Sequence, residues 1–213
     1  MSLNRTVLHE QIKDILLERI LSGKYRPGDR LVEMQIAQEF GTSQAPVRES
    51  LRELEALGFV ESAPYRGTRV RAVPKAEIAE IYPVRAALEE VAACAASERL
   101  GGHVETLETE LAAMHAAAEK GDLYEQVQHD VAFHRLIVEA SGNRVLQEVW
   151  RSLHIEARTL ISVIKTDIDL FELAEMHRPV LEAIAAGDAE KAGKLLRQHV
   201  EYFGDLILKG EPL

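Results

Sequence analysis

Asp130 and His134 place a carboxylate and an imidazole four residues apart in the segment DVAFH. In an α-helix, positions i and i+4 lie on one face, one turn apart. The other residues of that face are apolar, so the pair is predicted to point into a protein core; they are Val127, Val131, Ile137 and Val138. A buried carboxylate without a partner is costly, and we therefore expect a compensating group nearby.

Two later histidines, His177 and His199, also share a helical face with apolar residues. A single histidine in such a setting is more often a hydrogen-bonded core residue than a metal ligand. Three histidines and an aspartate directed inward from three helices favour a metal site instead, and bundle cores commonly hold one. Nitrogen and oxygen ligands of this kind suit Zn, Ni, Mn or Fe. The four predicted metal ligands are Asp130, His134, His177 and His199.

The composition is that of a globular protein, with 213 residues, 46% of them hydrophobic and 28% charged. No apolar run is long enough to span a bilayer, and the first residues lack the pattern of a secretory signal. The single cysteine, Cys94, cannot form an internal disulfide and is interpreted as a small buried side chain. We therefore expect a cytoplasmic protein without a membrane partner.

The net charge of −10 is unevenly distributed along the chain. Residues 1–75 carry 12 basic and 10 acidic side chains, whereas the remainder carries 13 basic and 25 acidic ones. Such an asymmetry indicates two domains with different partners. The acidic remainder of the chain should repel nucleic acid, whereas residues 1–75 carry too little negative charge to do so.

Residues 1–73 are predicted to form three helices and a β-hairpin. Apolar residues recur at helical spacing three times, and Gly23, Gly41 and Gly58 follow as stop signals. The segment FVESAPYRGTRVRAV then offers two β-prone stretches around a basic tip at Pro64–Gly67. This order is typical of a winged helix-turn-helix that reads DNA. The alternative is a small helical domain whose arginines are simply solvated.

The third helix would be the recognition helix of such a domain. Ser43 is a suitable N-cap, and Gln44, Arg48 and Arg52 fall on the face opposite the apolar stripe. Arginine supplies the contacts to phosphate and guanine that DNA recognition needs. The wing would add Arg66 at its tip.

The segments PGDRL, SQAPVRESL and GFV…RGT resemble the winged helix-turn-helix of the GntR family of bacterial transcription regulators, over roughly residues 5–73. The resemblance implies DNA contacts by Ser43, Arg48, Arg66, Gly67 and Thr68. The chain has Met34 and Gln44 where the family often has arginine, which predicts a different operator sequence. Gln44 could instead read adenine through two hydrogen bonds.

Residues 76–213 are predicted to form an all-α antiparallel bundle of about six helices, beginning with a long helix near Lys75 or Ala76. Breaks are expected at Gly101-Gly102, Gly121-Asp122, Ser141–Asn143, Lys165–Leu170 and Gly187-Asp188. The fold class is therefore mainly α, with a winged helix-turn-helix in front of a helical bundle.

The bundle resembles the FadR-type C-terminal (FCD) ligand-binding domain in DVAFH, SGN and EMHRPVLEAIAAGDAEKA, and six helices resemble its VanR-type branch. The resemblance implies that Asp130, His134, His177 and His199 hold a divalent metal. It also implies a small organic or sugar acid on or near the metal. Arg85 and Asn143 match positions that commonly line the effector cavity.

Together these features predict a transcriptional regulator, and a repressor in particular, that binds a palindromic operator as a homodimer. A small carboxylate would bind at the metal and change the spacing of the two winged domains. One alternative is a purely structural metal that ties three helices together. Another is a metal-dependent enzyme with an accessory domain, although no general base accompanies the ligands as in His-Glu-x-x-His motifs.

Overall fold

A computed structural model describes residues 5–63, 65–163 and 169–209. The chain divides into two compact units, Met1–Val73 and Pro74–Leu213. The first unit holds three helices and a small sheet, and the second is helical throughout its described residues. The mainly α fold class is therefore confirmed. No described helix is both long enough and apolar enough to cross a membrane.

The first unit contains α1 (Arg5–Leu21), α2 (Glu33–Glu39) and α3 (Gln44–Ala56). Most apolar residues at helical spacing enter the core, as predicted, including Ile12, Leu16, Ile36, Val47, Leu51 and Leu54. Leu8 and Ile15 remain more than a third exposed, although they belong to the same periodic pattern on α1. The core packs α1 and α2 against α3, which leaves the opposite face of α3 exposed.

The wing is part of a three-stranded antiparallel sheet in the order β1-β3-β2. Its strands are β1 (Arg30–Leu31), β2 (Val60–Ala63) and β3 (Gly67–Val70). The predicted hairpin corresponds to β2 and β3, with Tyr65 in a left-handed conformation at its tip, while Pro64 lies outside the described residues. The segment YRPGDRL, which contains β1, is predicted from its sequence to be a turn with Pro27-Gly28 at the corner, because two residues give no readable strand pattern.

The second unit contains eight described helical segments: α4 (Lys75–Leu100), α5 (Glu105–Lys120), α6 (Leu123–Ala140), α7 (Arg144–Ser152), α8 (Ile155–Val163), α9 (Leu170–Glu175), α10 (Arg178–Ala185) and α11 (Ala189–Lys209). The two segments beyond the predicted six arise at His154, whose φ is +45°, and at the α9–α10 junction around His177. Neither break carries a glycine signal. Of the predicted break at Lys165–Leu170, residues 165–168 lie outside the described residues, and Asp169 caps α9.

Helices α4 and α11 pack closely along their lengths, and α6 packs against α4 and α5. Two glycines of α11 permit the close approach. A Cβ at Gly193 would lie 3.0 Å from the carbonyl oxygen of Glu90 and against Cys94, and a Cβ at Gly204 would lie 2.8 Å from the Tyr82 ring. The backbones of α4 and α11 therefore lie near each other, with α6 beside α4.

Candidate functional site

The four residues predicted as metal ligands come together in the core of the helical unit. Asp130 and His134 lie one turn apart on α6, His177 precedes α10, and His199 lies on α11. Their exposed fractions range from 0% to 8%. Each offers one ligand atom, and these atoms all lie within 4.8 Å of one another. We call these four residues the metal cluster.

The hydrogen bonds of His177 fix the direction of its lone pair. Its Nδ1 lies 3.2 Å from the carbonyl oxygens of Leu173 and Ala174, so Nδ1 carries the hydrogen. In the neutral ring Nε2 then presents a lone pair, and this atom lies 3.1 Å from Oδ1 of Asp130. The same Nε2 lies 3.3 Å from Nε2 of His134.

His134 is oriented in the same way by Glu89 on α4. Its Nδ1 donates to Oε2 of Glu89 at 2.5 Å, and neither side chain is exposed. Nε2 of His134 therefore also presents a lone pair. With both rings neutral, two imidazole lone pairs would face each other beside a carboxylate, a contact that a metal ion or a shared proton relieves.

His199 packs against the other two histidines and has an unpartnered ring nitrogen. Its ring lies 4.4 Å from that of His177 and 5.2 Å from that of His134, measured between centroids. Its Nδ1 is buried and has no hydrogen-bond partner among the described residues. A divalent ion fits this set, because it would accept the lone pairs and offset the charge of Asp130.

The electrostatics of the cluster favour the ligand forms of these side chains. Burial raises the pKa of Asp130, but the basic groups around it, His177, His134 and Arg85, outweigh burial and lower that pKa to about 2. Burial lowers the pKa of His199 well below its ordinary value. An ionised aspartate and a neutral histidine are the protonation states that metal binding requires.

Glu89 connects the metal cluster to two other side chains. Its Oε1 accepts from Nε of Arg85 at 2.7 Å and from the indole Nε1 of Trp150 at 2.7 Å. Burial alone would raise the pKa of Glu89, but Arg85 and then His134 lower it below its ordinary value. The carboxylate is therefore ionised and holds groups from α4, α6 and α7 together. We call Glu89, Arg85, Trp150 and His134 the Glu89 network.

The predicted effector residue Arg85 is buried, with 2% of its surface exposed. Its guanidinium lies 5.7 Å from the centre of the Tyr82 ring, and its charge lowers the pKa of Asp130. Arg85 is thus electrostatically coupled to the metal cluster as well as bonded to Glu89. An arginine on a helix is usually solvated, and the burial of Arg85 excludes that interpretation.

On the first unit, the predicted recognition residues are exposed at the start of α3. Ser43 is the N-cap, with φ −80° and ψ 165°, but its side chain makes no capping hydrogen bond. Gln44 and Arg48 lie one turn apart and are both exposed. The hydroxyl of Ser43 and these two side chains form a polar surface suited to a DNA groove.

The wing residues differ in their exposure. Arg66 and Gly67 are exposed, whereas Thr68 is half-buried and its Oγ1 lies 3.1 Å from Oγ of Ser62 on the paired strand. Gly67 has φ +73°, and a Cβ there would lie 3.2 Å from Nε of Arg30. The Arg30 guanidinium therefore lies against the tip of the wing, a contact that the interpretation of YRPGDRL as a turn did not predict.

Comparison with known proteins identifies the family. Residues 8–70 match the family of bacterial regulatory proteins called gntR, and residues 80–202 match the FCD domain. The chain is 39% identical over 198 residues to a probable D-xylose utilization operon transcriptional repressor of Paenarthrobacter nicotinovorans, covering 93% of this chain and 88% of that protein. This protein belongs to the GntR family.

Other relatives of this GntR-family protein support the same assignment. It is 31% identical over 206 residues to the gluconate operon transcriptional repressor of Bacillus licheniformis, covering 92% of this chain and 82% of that protein. Among solved structures, Escherichia coli McbR/YncC superposes with a TM-score of 0.71 and 27% identity, covering 94% of this chain and 96% of that chain. A GntR regulator from Rhodococcus sp. RHA1 gives a TM-score of 0.72 and 25% identity, covering 96% of this chain and 99% of that chain.

The GntR-family assignment establishes a DNA-binding transcriptional regulator rather than an enzyme. Regulators of this family bind DNA operators and small-molecule effectors. The alternative of a metal-dependent enzyme with an accessory domain is thereby set aside.

One predicted effector residue of this regulator has another place in the structure. Asn143 is exposed at the N-cap of α7, where its Oδ1 accepts from the backbone N–H of Leu146 at 3.1 Å. The structure does not bring it into the metal cluster. Asn143 follows Gly142 in a helix-start pattern, and capping is the ordinary role of asparagine at such a position.

The Glu89 network contains two members that sequence reasoning missed in this GntR-family protein, Glu89 and Trp150. Glu89 belongs to an acidic pair on a helix, which is usually a solvated feature. The sequence does indicate one partner of Glu89, because Arg85 and Glu89 are four residues apart, a spacing at which opposite charges pair on a helix. That pairing predicts a shared face but not its burial.

Proposed function

We propose that this protein is a homodimeric repressor of the cytoplasm that binds a palindromic operator and is released by a small organic or sugar acid. The acid would bind beside a divalent metal held by Asp130, His134, His177 and His199. The observation that carries the proposal is the burial of these four residues, with the Nε2 atoms of His134 and His177 3.3 Å apart. With both rings neutral, a cation between them would relieve the repulsion of their lone pairs.

The DNA-binding part of the proposal rests on the exposed residues of α3 and the wing. Ser43, Gln44 and Arg48 would contact one major groove, while Arg66, Gly67 and Thr68 would lie against the backbone or the minor groove. A homodimer would place one recognition helix in each of two successive major grooves, which requires a palindromic site. Repression is the activity named for two relatives, the D-xylose and gluconate operon repressors.

The metal part of the proposal names a divalent ion such as Zn, Ni, Mn or Fe. When bound, an octahedral ion with four protein ligands would keep two positions open for an effector carboxylate. The protein orients two of the ligands before any ion arrives, because Glu89 and the carbonyl oxygens of Leu173 and Ala174 fix the tautomers of His134 and His177.

Arg85 is the proposed protein contact of the effector carboxylate. Its bond to Glu89 uses one of the five N–H groups of the guanidinium. A carboxylate is a good partner for such a group, since both are planar and oppositely charged. The relatives named for D-xylose and gluconate operons favour sugars and sugar acids as the first compounds to test.

Effector binding would act on the DNA-binding unit through α4. Arg85 and Glu89 lie on α4, and this helix starts at Lys75, directly after the last strand of the wing and a short connection. An anion that draws Arg85 away from Glu89 would change the contacts that hold α4. The effector must bind the two states of α4 with different affinity to shift DNA binding.

A purely structural metal is the second candidate. It is favoured by the burial of all four ligands and by their origin in three separate stretches of the chain, on α6, before α10 and on α11. Four protein ligands fill a tetrahedral zinc site and leave no open position. Removing such a metal would lower stability without altering the response to the effector.

The test combines elemental analysis of the purified protein with DNA binding. The operator fragment is first selected from a randomised duplex pool with the full-length protein, and fluorescence anisotropy then measures its affinity with D-gluconate, D-xylonate, citrate and lactate. We expect about one divalent ion per chain and at least a tenfold loss of operator affinity with one acid. Protein that is stable and binds DNA but carries no stoichiometric metal would refute the metal site.

A further inference from the structure

Arg48 on the recognition helix is held by a carboxylate of the preceding helix. Its Nε lies 3.1 Å and 3.2 Å from the two oxygens of Glu33, and its Nη2 lies 2.7 Å from Oε2. Glu33 is the first residue of α2, whereas Arg48 lies in the second turn of α3. The contact therefore links the two helices of the helix-turn-helix at the exposed side chain expected to meet DNA.

The atoms used in this contact leave a defined part of Arg48 for another partner. Nε and Nη2 form one edge of the planar guanidinium, and Glu33 occupies that edge. The terminal edge, formed by Nη1 and the second hydrogen of Nη2, points away from Glu33 by covalent geometry. Two parallel N–H donors on one edge match O6 and N7 of guanine in the major groove.

We propose that Glu33 is a positioning residue for base recognition, which holds Arg48 so that its terminal edge reads a guanine. The inference rests on the proposed role of Arg48 in DNA contact. It assigns specificity to a residue outside the recognition helix, one that the sequence analysis did not single out.

Holding Arg48 in advance favours base recognition for an entropic reason. A free arginine side chain samples many rotamers and loses them on binding. A side chain that is already oriented loses less, provided the held orientation is the one that binds. Glu33 also brings a negative charge close to the phosphates, so it should weaken binding to DNA of any sequence. Its expected effect is therefore greater specificity together with lower general affinity.

The contact contributes little to the stability of the fold. The side chain of Arg48 is 50% exposed and that of Glu33 is 30% exposed, and exposed ion pairs contribute little to folding. The same unit offers a matched control, because Glu39 on α2 forms a similar two-point contact with Arg19 of α1. That pair involves no residue of the recognition helix.

The experiment compares base preferences of full-length variants. A randomised 40-base-pair duplex pool is used to select sites with the wild type and with the Glu33→Gln, Glu39→Gln and Arg48→Ala variants. We expect Arg48→Ala to lose a guanine preference at one position of each half-site. Glu33→Gln should lower the preference at that same position by at least about fivefold, while binding random DNA more tightly than the wild type.

Two further measurements separate positioning from charge and from folding. Glu33→Asp keeps the charge but withdraws the carboxylate by one methylene, so it should reduce the guanine preference without raising affinity for random DNA. In the Arg48→Ala background, Glu33→Gln should cause no further loss at that position. Thermal unfolding of each variant identifies any that fail to fold, and Glu33→Asp then serves as the test.

The possible failures are distinguishable. If Arg48→Ala keeps the guanine preference and the operator affinity, the proposed contact of Arg48 with DNA is wrong, and this inference falls with it. If Arg48→Ala loses the preference while folded Glu33→Gln and Glu33→Asp keep it, only the role of Glu33 is wrong. An equal loss in Glu39→Gln would also overturn the role of Glu33.

Discussion

His134 donates its Nδ1 hydrogen to Glu89 across 2.5 Å, and neither side chain is exposed to solvent. This hydrogen bond joins a proposed metal ligand on α6 to the helix that follows the DNA-binding unit. Because the same carboxylate also accepts from Arg85 and Trp150, a change at any one of these groups alters the contacts of the others. The metal, the effector arginine and α4 are therefore expected to respond together.

Substitution of Glu89 by Gln should weaken metal binding by about 10- to 100-fold, because the orientation and basicity of His134 depend on this carboxylate. It should also lower the free energy of unfolding by about 3–5 kcal/mol, since Arg85 would be left buried without its counter-charge. Competition with a chromophoric chelator measures the metal affinity, and urea denaturation measures the stability.

Glu90→Gln is the control for this substitution. The neighbouring Glu90 pairs with Arg197 at the partly exposed surface, so its loss should leave metal affinity unchanged and shift stability by less than about 1 kcal/mol. Equal metal affinities for Glu89→Gln and the wild type would show that His134 does not need this partner.

Removal of the metal should lower the thermal unfolding midpoint. An ion present at 100 times its dissociation constant stabilises the folded state by about 2.7 kcal/mol, which corresponds to roughly 5–10 °C for a chain of this size. Calorimetry before and after dialysis against a chelator measures the shift. His177→Ala, which lacks one ligand, should show no such dependence on chelator, and a midpoint insensitive to chelation in the wild type would contradict the metal site.

Substitution of Arg85 by Lys should raise the effector concentration needed to release DNA by at least about tenfold, because lysine cannot reproduce a two-point contact with a carboxylate. Because lysine keeps the positive charge beside Glu89 and leaves the bond between His134 and Glu89 in place, metal content and operator affinity without effector should stay near the wild-type values. Anisotropy titrations of the operator fragment provide the measurement. Arg197→Lys on the surface of α11 is the control, and an unchanged effector response in Arg85→Lys would assign the effector contact elsewhere.

Replacement of Arg48 by Ala should abolish operator binding at protein concentrations that saturate the wild type, with a loss on the order of 100-fold in affinity, so site selection with this variant is run at a higher protein concentration. Arg52, one turn further along the exposed side of α3 and paired with Glu49, offers the comparison, and Arg52→Ala should cost less than about tenfold. A gel-shift titration at fixed salt concentration measures both. Wild-type affinity of the Arg48→Ala variant would refute the proposed recognition helix contact.

Gly193→Ala should destabilise the protein although alanine is the better helix former. The added methyl group would lie 3.0 Å from the carbonyl oxygen of Glu90 and against Sγ of Cys94, and overpacking of this kind costs about 1–3 kcal/mol. Urea denaturation of the metal-saturated protein measures the loss. The double variant with Cys94→Ala should recover part of the lost stability. Full stability of Gly193→Ala alone would show that α4 and α11 can move apart enough to accommodate the methyl group.

Periodicity predicted much of this structure, because long amphipathic helices repeat their apolar residues at a regular spacing. It located α1 to α3, the hairpin, the start of α4 and the inward direction of the four cluster residues. It did not locate β1, which is too short to show a pattern, or the breaks at His154 and His177, where the backbone turns without glycine. Tertiary contacts decide such breaks.

The partners of the functional side chains were beyond the reach of the sequence. Glu33 and Glu89 are ordinary acidic residues of helices, and their roles depend on contacts 15 and 45 residues away along the chain. Asn143 was predicted from a resemblance to line the effector cavity, and the structure places it at the N-cap of α7. Ligand residues carry a recognisable chemistry of their own, but the residues that orient them are recognised only once the helices are packed.

His177 occupies the junction at which α9 ends and α10 begins, with Nδ1 bonded to the last carbonyl groups of α9 and Nε2 turned toward the cluster. The end of one helix and the start of the next are thus anchored to the same imidazole. A metal ion bound in the cluster would therefore fix the angle between α9 and α10. It would hold this corner of the bundle in place as well as bind a ligand.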